Sequence, residues 1–113
     1  MTIEELIVSV CEASTELPCF HNKFTKDEST YIVYNYFVSN EFFDNKAIYD
    51  LFTIQIHVVA PYGVELYELK QKLKKDLEDN GFIYPPETDA SDEDSQHYVL
   101  ETQKWWNVSH GIS

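Results

Sequence analysis

The sequence predicts an α+β domain, an antiparallel sheet of about four strands with two helices packed on one face, in the order α-β-β-α-β-β. Three observations carry that expectation. From Ile48 to Ala60, apolar Phe52, Ile54, Ile56 and Val58 alternate with Thr53, Gln55 and His57. That period of two marks a strand with one buried face. Tyr31 to Val38 is a second run dominated by aromatic and β-branched residues. Two other stretches, Ile3 to Cys11 and Leu66 to Leu77, repeat apolar residues at helical spacing and can cover the sheet.

Taken in order, Thr2 to Glu5 reads as a capping box, with Thr2 at the N-cap and Glu5 reaching back. Ile3, Leu6, Ile7, Val10 and Cys11 then line one helical face, and Pro18 ends the element. Pro18 to Lys26 connects, with a short extended piece around Phe20 to Phe24. Large residues on both faces of Tyr31–Val38 require a central position or cover from another subunit. Ser39 to Lys46, with Asn40, Asp44 and Asn45, reads as the hairpin connection, and its tip carries Phe42 and Phe43, which either fold back on the sheet edge or meet a partner.

After Pro61-Tyr62-Gly63, a helix is expected from about Val64 to Asp79, with Leu66, Leu69, Leu73 and Leu77 inward. Glu68/Lys72, Lys72/Asp76, Lys74/Glu78 and Lys75/Asp79 sit four apart, as on a solvated face. Asn80-Gly81 supplies a C-terminal stop. Phe82 to Tyr84 reads as a short strand before Pro85-Pro86. Glu87 to Gln96, with Glu87, Asp89, Asp92, Glu93 and Asp94 and nothing apolar larger than alanine, reads as a mobile acidic loop. His97 to Trp106 is the last strand, and an irregular tail begins at about residue 107.

The 113 residues make a single domain over 1–113, large enough to bury roughly two-thirds of its unfolded surface without disulfide or metal staples. Net charge is −12, from 20 acids against 8 basic residues, all lysine. Without arginine the chain lacks the planar fork that grips phosphate and guanine, and its field repels DNA. No basic block suits an anionic membrane, and no segment reaches the 18 or so apolar residues of a span. The N-terminal Met-Thr-Ile-Glu-Glu lacks the basic and apolar regions of a signal peptide, so synthesis in the cytoplasm is expected. Cys11 and Cys19 read as free thiols.

The sequence carries no recognisable catalytic pattern. His21, His57, His97 and His110 show no metal-ligand spacing, so no metal or other cofactor is expected. His57, on the polar side of its strand, reads as a surface or interface residue. Three glycines cannot build a phosphate-binding loop, and no nucleophile elbow or Cys–His pair is present. Asn107-Val108-Ser109 matches a glycosylation triplet without meaning in a cytosolic protein. An enzyme is the least supported class. Aromatics are heavy at 15 %, chiefly Tyr and Phe; Tyr packs well on strands, and such numbers are also what contact surfaces favour.

Tyr31-Ile-Val-Tyr-Asn-Tyr-Phe, Asn45-Lys-Ala-Ile-Tyr-Asp-Leu-Phe-Thr-Ile-Gln-Ile-His-Val and a Leu-rich charged helix closing at Asn80-Gly81-Phe82 resemble the neck proteins of long-tailed bacteriophages. The likeness is to the tail terminator (tail-completion) proteins and covers about residues 2 to 106. It departs at the acidic loop and at Trp105-Trp106. The resemblance implies a structural virion protein forming a ring, usually a hexamer, between the major tail tube protein and the head-completion or connector proteins. DNA would pass through without specific binding, and six copies of −12 would carry about −72. On this reading Phe42, Phe43, Tyr49, Trp105 and Trp106 contact neighbours. The acids of 87–94 line the lumen or meet the next ring. Two alternatives share the composition: an acidic DNA-mimic inhibitor, and a generic adaptor docking through the Tyr-rich strand.

Overall fold

Thr2 opens the first helix as its sequence predicts. In the computed structural model its Oγ1 accepts the Glu5 N–H at 3.1 Å, and Glu5 Oε1 accepts the Thr2 N–H at 3.0 Å. Two orphan donors of the first turn are thereby satisfied. This helix, α1 (Ile3–Thr15), buries Ile3, Ile7, Val10 and Cys11 and stops at Glu16 in a left-handed conformation. The structure describes residues 1–25, 29–43 and 46–107, excluding the side chains of 41–43, 46–48 and 107. Asp44, Asn45 and the tail from 108, with Ser109 of the glycosylation triplet and His110, lie outside the described residues.

The sheet contains β1 (Cys19–His21), β2 (Tyr31–Phe43), β3 (Lys46–Ala60), β4 (Glu87–Asp89) and β5 (Gln96–Asn107) in the spatial order β1-β2-β3-β5-β4. The fold is thus α+β with two helices, but the sheet has five strands and is mixed. The expectation of about four antiparallel strands is corrected in two places. Cys19–His21 pairs parallel with β2 through Cys19↔Ile32 and His21↔Tyr34. Glu87–Asp89, expected inside a mobile loop, pairs antiparallel with Tyr98–Leu100. Pairing with an existing edge overrides the low strand propensity of an acidic tripeptide.

Three further boundaries move. Phe82–Tyr84 is not a strand, although the Ile83 N–H still donates to the Gln103 carbonyl at 3.0 Å. The hairpin region Ser39–Lys46 is mostly strand: β2 and β3 remain paired through Phe43↔Lys46, with an irregularity between Glu41 and Phe42. Phe42 and Phe43 therefore belong to β2 and not to a loop tip. The second helix, α2 (Tyr67–Asp79), begins three residues after the expected Val64, and buried Leu66 takes its N-cap position.

Both helices lie on one side of the sheet. Ile7, Val10 and Cys11 of α1 and Leu73 and Leu77 of α2 share one core with Ile32, Ile54, Ile56, Val58 and Leu100. Each such side chain contributes about 1.5–3 kcal/mol relative to exposure. The helix-facing positions are the even-numbered residues of β2, β3 and β5, so one register slip would turn this whole set to the other face.

Lengths then decide what stays uncovered. β3 has 15 residues, which at 3.4 Å each make roughly 50 Å; the molecule's longest extent is 53 Å. Each helix has 13 residues and spans only about 20 Å. The half of the sheet toward Phe43 and Lys46 projects past them.

α2 ends in a Schellman motif, with the Gly81 N–H on the Glu78 carbonyl and the Phe82 N–H on that of Leu77, both at 3.0 Å. Gly81 has φ +89, and a Cβ there would sit 2.6 Å from Lys104 Nζ, the movable end of a flexible chain. Gly81→Ala is expected to lower unfolding free energy in urea by about 1–2 kcal/mol, and Gly81→Asn by less.

Candidate functional site on the helix-free face

Odd-numbered residues of β2, β3 and β5 form the face that no helix covers, and the register arranges them in rows. From one end to the other these are Tyr31–Val59–His97, Val33–His57–Val99, Asn35–Gln55–Glu101, Phe37–Thr53–Gln103 and Ser39–Leu51–Trp105, then Tyr49 beside Asn107. The first rows are sealed by the chain itself. Phe20 packs on Tyr31, Val33 and Val59 as a small second core, and Phe24 lies edge-on to His57 and His97 at 5.4 and 5.7 Å.

Beneath Phe24 the two histidines meet across the strands. His57 Nδ1 is 2.7 Å from His97 Nε2, and His57 Nε2 is 3.2 Å from Asn35 Nδ2. If Asn35 donates, His57 carries its proton on Nδ1 and donates to His97, so both rings are neutral. Burial, and for His57 also the His97 charge, holds both pKa values below the usual imidazole value, while Asp92 draws that of His97 partly back. The pair is a packed network and places no general base beside a nucleophile. Among the described residues no group of three or more His, Cys, Asp or Glu is placed to hold a metal.

The far rows are open. Phe37 is 62 %, Tyr49 41 % and Trp105 49 % exposed, and the Tyr49 and Trp105 rings touch edge-to-face at 6.1 Å. Isolated exposed aromatics need no explanation, but here three share the uncovered part of one sheet face, with Tyr49 and Trp105 in contact. Trp106 points to the opposite side, packs against the core and has Lys104 Nζ 6.0 Å from its ring centre. The side chains of Phe42 and Phe43 lie outside the described residues. Phe37 was missed in sequence because its strand carries large residues at both parities, so only the register shows it on the same face as Tyr49 and Trp105.

The acids expected to act together separate. Glu87 accepts Lys70 Nζ at 2.7 Å and Lys74 Nζ at 2.9 Å, tying β4 to α2. Burial alone would raise the Glu87 pKa, but the two ammonium groups hold it below the ordinary value. Lys74 thereby turns inward and is not paired with Glu78. Lys72–Asp76 and Lys75–Asp79 do form, at 2.7 and 3.5 Å. Asp89 accepts the Ser91 N–H at 2.9 Å, and Asp92 those of Asp94 and Ser95 at 2.8 and 3.0 Å, so both organise the turn. Glu93 and Asp94 are exposed. This turn precedes Gln96, which pairs with Ala60, so it lies at the opposite end of the sheet from Trp105.

A groove of about 750 Å³ beside α1 is lined by Glu4, Glu5, Val8, Ser9, Glu12 and Tyr34. Burial, then the nearby Glu4 charge, pushes the Tyr34 pKa up to about 12, so its phenol stays neutral. Cys11, hydrogen-bonded to Cys19 and buried, has its pKa raised well above the ordinary thiol value and is a poor nucleophile.

No protein family matches the chain, and no curated protein matches it. A solved structure is similar to it, with 12 % sequence identity over 92 % of this chain and 89 % of the other and a TM-score of 0.61. At that identity the likeness shows the fold alone.

The His57–His97 network gives a pH dependence of known sign. Folded-state pKa values below the unfolded one make its contribution complete above the unfolded value of about 6.5 and lost as pH falls from there through the lower folded values. Urea midpoints are expected to drop between pH 7.5 and 5.5, and the drop should shrink in His57→Gln. An equal drop in the variant would remove the pair as its source. Glu87, whose pKa the two ammonium groups hold below the ordinary carboxylate value, stays ionised across this window and does not contribute.

Proposed function

We propose that the chain is a structural subunit that docks side by side with copies of itself into a ring, the tail-terminator layer of a phage neck. The ring would join the tail tube to the head connector around a DNA passage. The exposed aromatics Phe37, Tyr49 and Trp105, on one face of a sheet that outreaches its helices, carry this reading. Aromatic side chains are rigid, amphipathic anchors for protein contacts. The acidic turn at the other end is free to face the lumen or the next layer. Phe42, Phe43 and Trp106 remain in the proposed contact region, Trp106 with a structural part as well.

The DNA-mimic alternative draws on the same net charge of −12. It is weakened because Glu87, Asp76 and Asp79 each have a lysine ammonium within 3.5 Å. A mimic needs unpaired carboxylates in an ordered array.

Native mass spectrometry of wild type and of Phe37→Ser/Trp105→Ser tests the reading. The wild type is expected as a closed ring and the double variant as smaller species. Both positions are exposed, so unfolding free energy should change by only about 0.5 kcal/mol. Because like charges oppose assembly, raising salt from about 0.05 to 0.5 M should strengthen it. A wild type that stays monomeric, or that binds duplex DNA tightly at physiological salt, would refute the proposal.

A further inference from the structure

The sheet has two unfinished edges at the same end. Along β2, the Ile32 N–H donates to the Pro18 carbonyl at 2.9 Å and the Tyr34 carbonyl accepts the Asn22 N–H at 2.8 Å. Even-numbered residues therefore turn their backbone groups outward, and β1 occupies that edge only as far as Tyr34. Tyr36, Val38 and Asn40 follow with outward groups that bond no described backbone. On the other side of the sheet, Glu101 donates to the Pro86 carbonyl and Gln103 accepts from Ile83, so the odd-numbered residues of β5 face out. Beyond Gln103, the outward backbone groups of Trp105 and Asn107 likewise bond no described backbone.

Natural sheets blunt such edges with lysine, proline, inward charges or a covering loop. Tyr36-Phe37-Val38-Ser39-Asn40 has no lysine, proline or charged residue, in a chain that is 25 % charged, and no described backbone pairs with its outward side. Val38 is 43 % exposed on it. β2 and β5 are each antiparallel to β3, so they run in the same direction. Two copies related by rotation about an axis along the strands can therefore join the β5 edge of one to the β2 edge of the next, in parallel and head to tail. Pairing β2 with β2 would instead be self-complementary and stop at a dimer.

We propose that the occupant of the β2 edge is a second copy of this chain, whose β5 edge pairs with Tyr36–Asn40 and continues the sheet across the subunit boundary. This rests on the ring reading and names its seam. Trp105 of one copy then lies beside Phe37 of the next on the same face. Each copy contributes three long strands, so six place roughly eighteen around one barrel, the size class that leaves an aqueous lumen.

Hydrogen–deuterium exchange of the wild type, assembled and diluted to monomer, reads the seam directly. Native mass spectrometry of Val38→Pro, which removes one outward donor and leaves the β3-facing bonds intact, reads it independently, with circular dichroism confirming the fold. Expected are slowed exchange across residues 36–40 only in the assembly and at least tenfold weaker assembly of Val38→Pro. A ring whose 36–40 amides exchange as fast as in the monomer overturns the seam and leaves the ring standing. Should Val38→Pro misfold, exchange in the wild type still decides. Dimers alone overturn the head-to-tail pairing, and a monomer at every concentration overturns both seam and ring.

Discussion

Extended chain advances more than twice as far per residue as helix, and this protein sets 13- and 15-residue strands beside 13-residue helices. The mismatch divides the sheet. In the half under α1 and α2, even-numbered side chains bury into a common core, and the chain's own Phe20 and Phe24 close the reverse face. Past the ends of the helices neither device is available. The open aromatics and unpaired edges gather there, and they follow from chain geometry before any question of function arises.

The charges obey the same division. Near the helices, carboxylates have fixed work: Glu5 caps α1, Glu87 links β4 to Lys70 and Lys74, and Asp89 and Asp92 hold backbone amides. Lys70 Nζ also sits 3.5 Å over the Tyr98 ring, so one ammonium serves both a carboxylate and an aromatic face. The acidic segment is thus ordered by local hydrogen bonds where composition alone suggests mobility. The helix-free face half-buries its two histidines against each other, and that burial lowers both pKa values and favours the uncharged rings.

Local rules were legible in sequence, and pairwise ones were not. The capping box at Thr2, the strand at Phe52–Val58, the leucine stripe of α2 and the left-handed Gly81 each follow from spacing within about ten residues, and each is observed. Errors fall where a neighbour decides. The extended piece expected around Phe20 to Phe24 falls at Cys19–His21 and pairs parallel with β2, and Glu87–Asp89 is a strand only because β5 offers it an edge. Lys74 suits a partner four residues on, but a carboxylate 13 positions away reaches it. At the candidate site, alternation separates Trp105 from Trp106 and the register alone brings Tyr49, Trp105 and Phe37 to one face. Their exposure depends on where the helices stop, which no local pattern encodes.

An unguarded edge is a hazard as well as an interface, since head-to-tail pairing that does not close yields fibres. The charge of −12 bears on that choice. Screened repulsion reaches only about 8–10 Å at physiological salt, so it acts on any approach that brings two copies close. Casual contacts, with few hydrogen bonds, do not offset it. A seam that adds several backbone bonds and an aromatic contact at once can do so, and closing a ring adds one such seam without another subunit. In the proposed ring, the same acidity would restrict the edge to its cooperative, closed product while keeping the proposed passage repulsive to DNA.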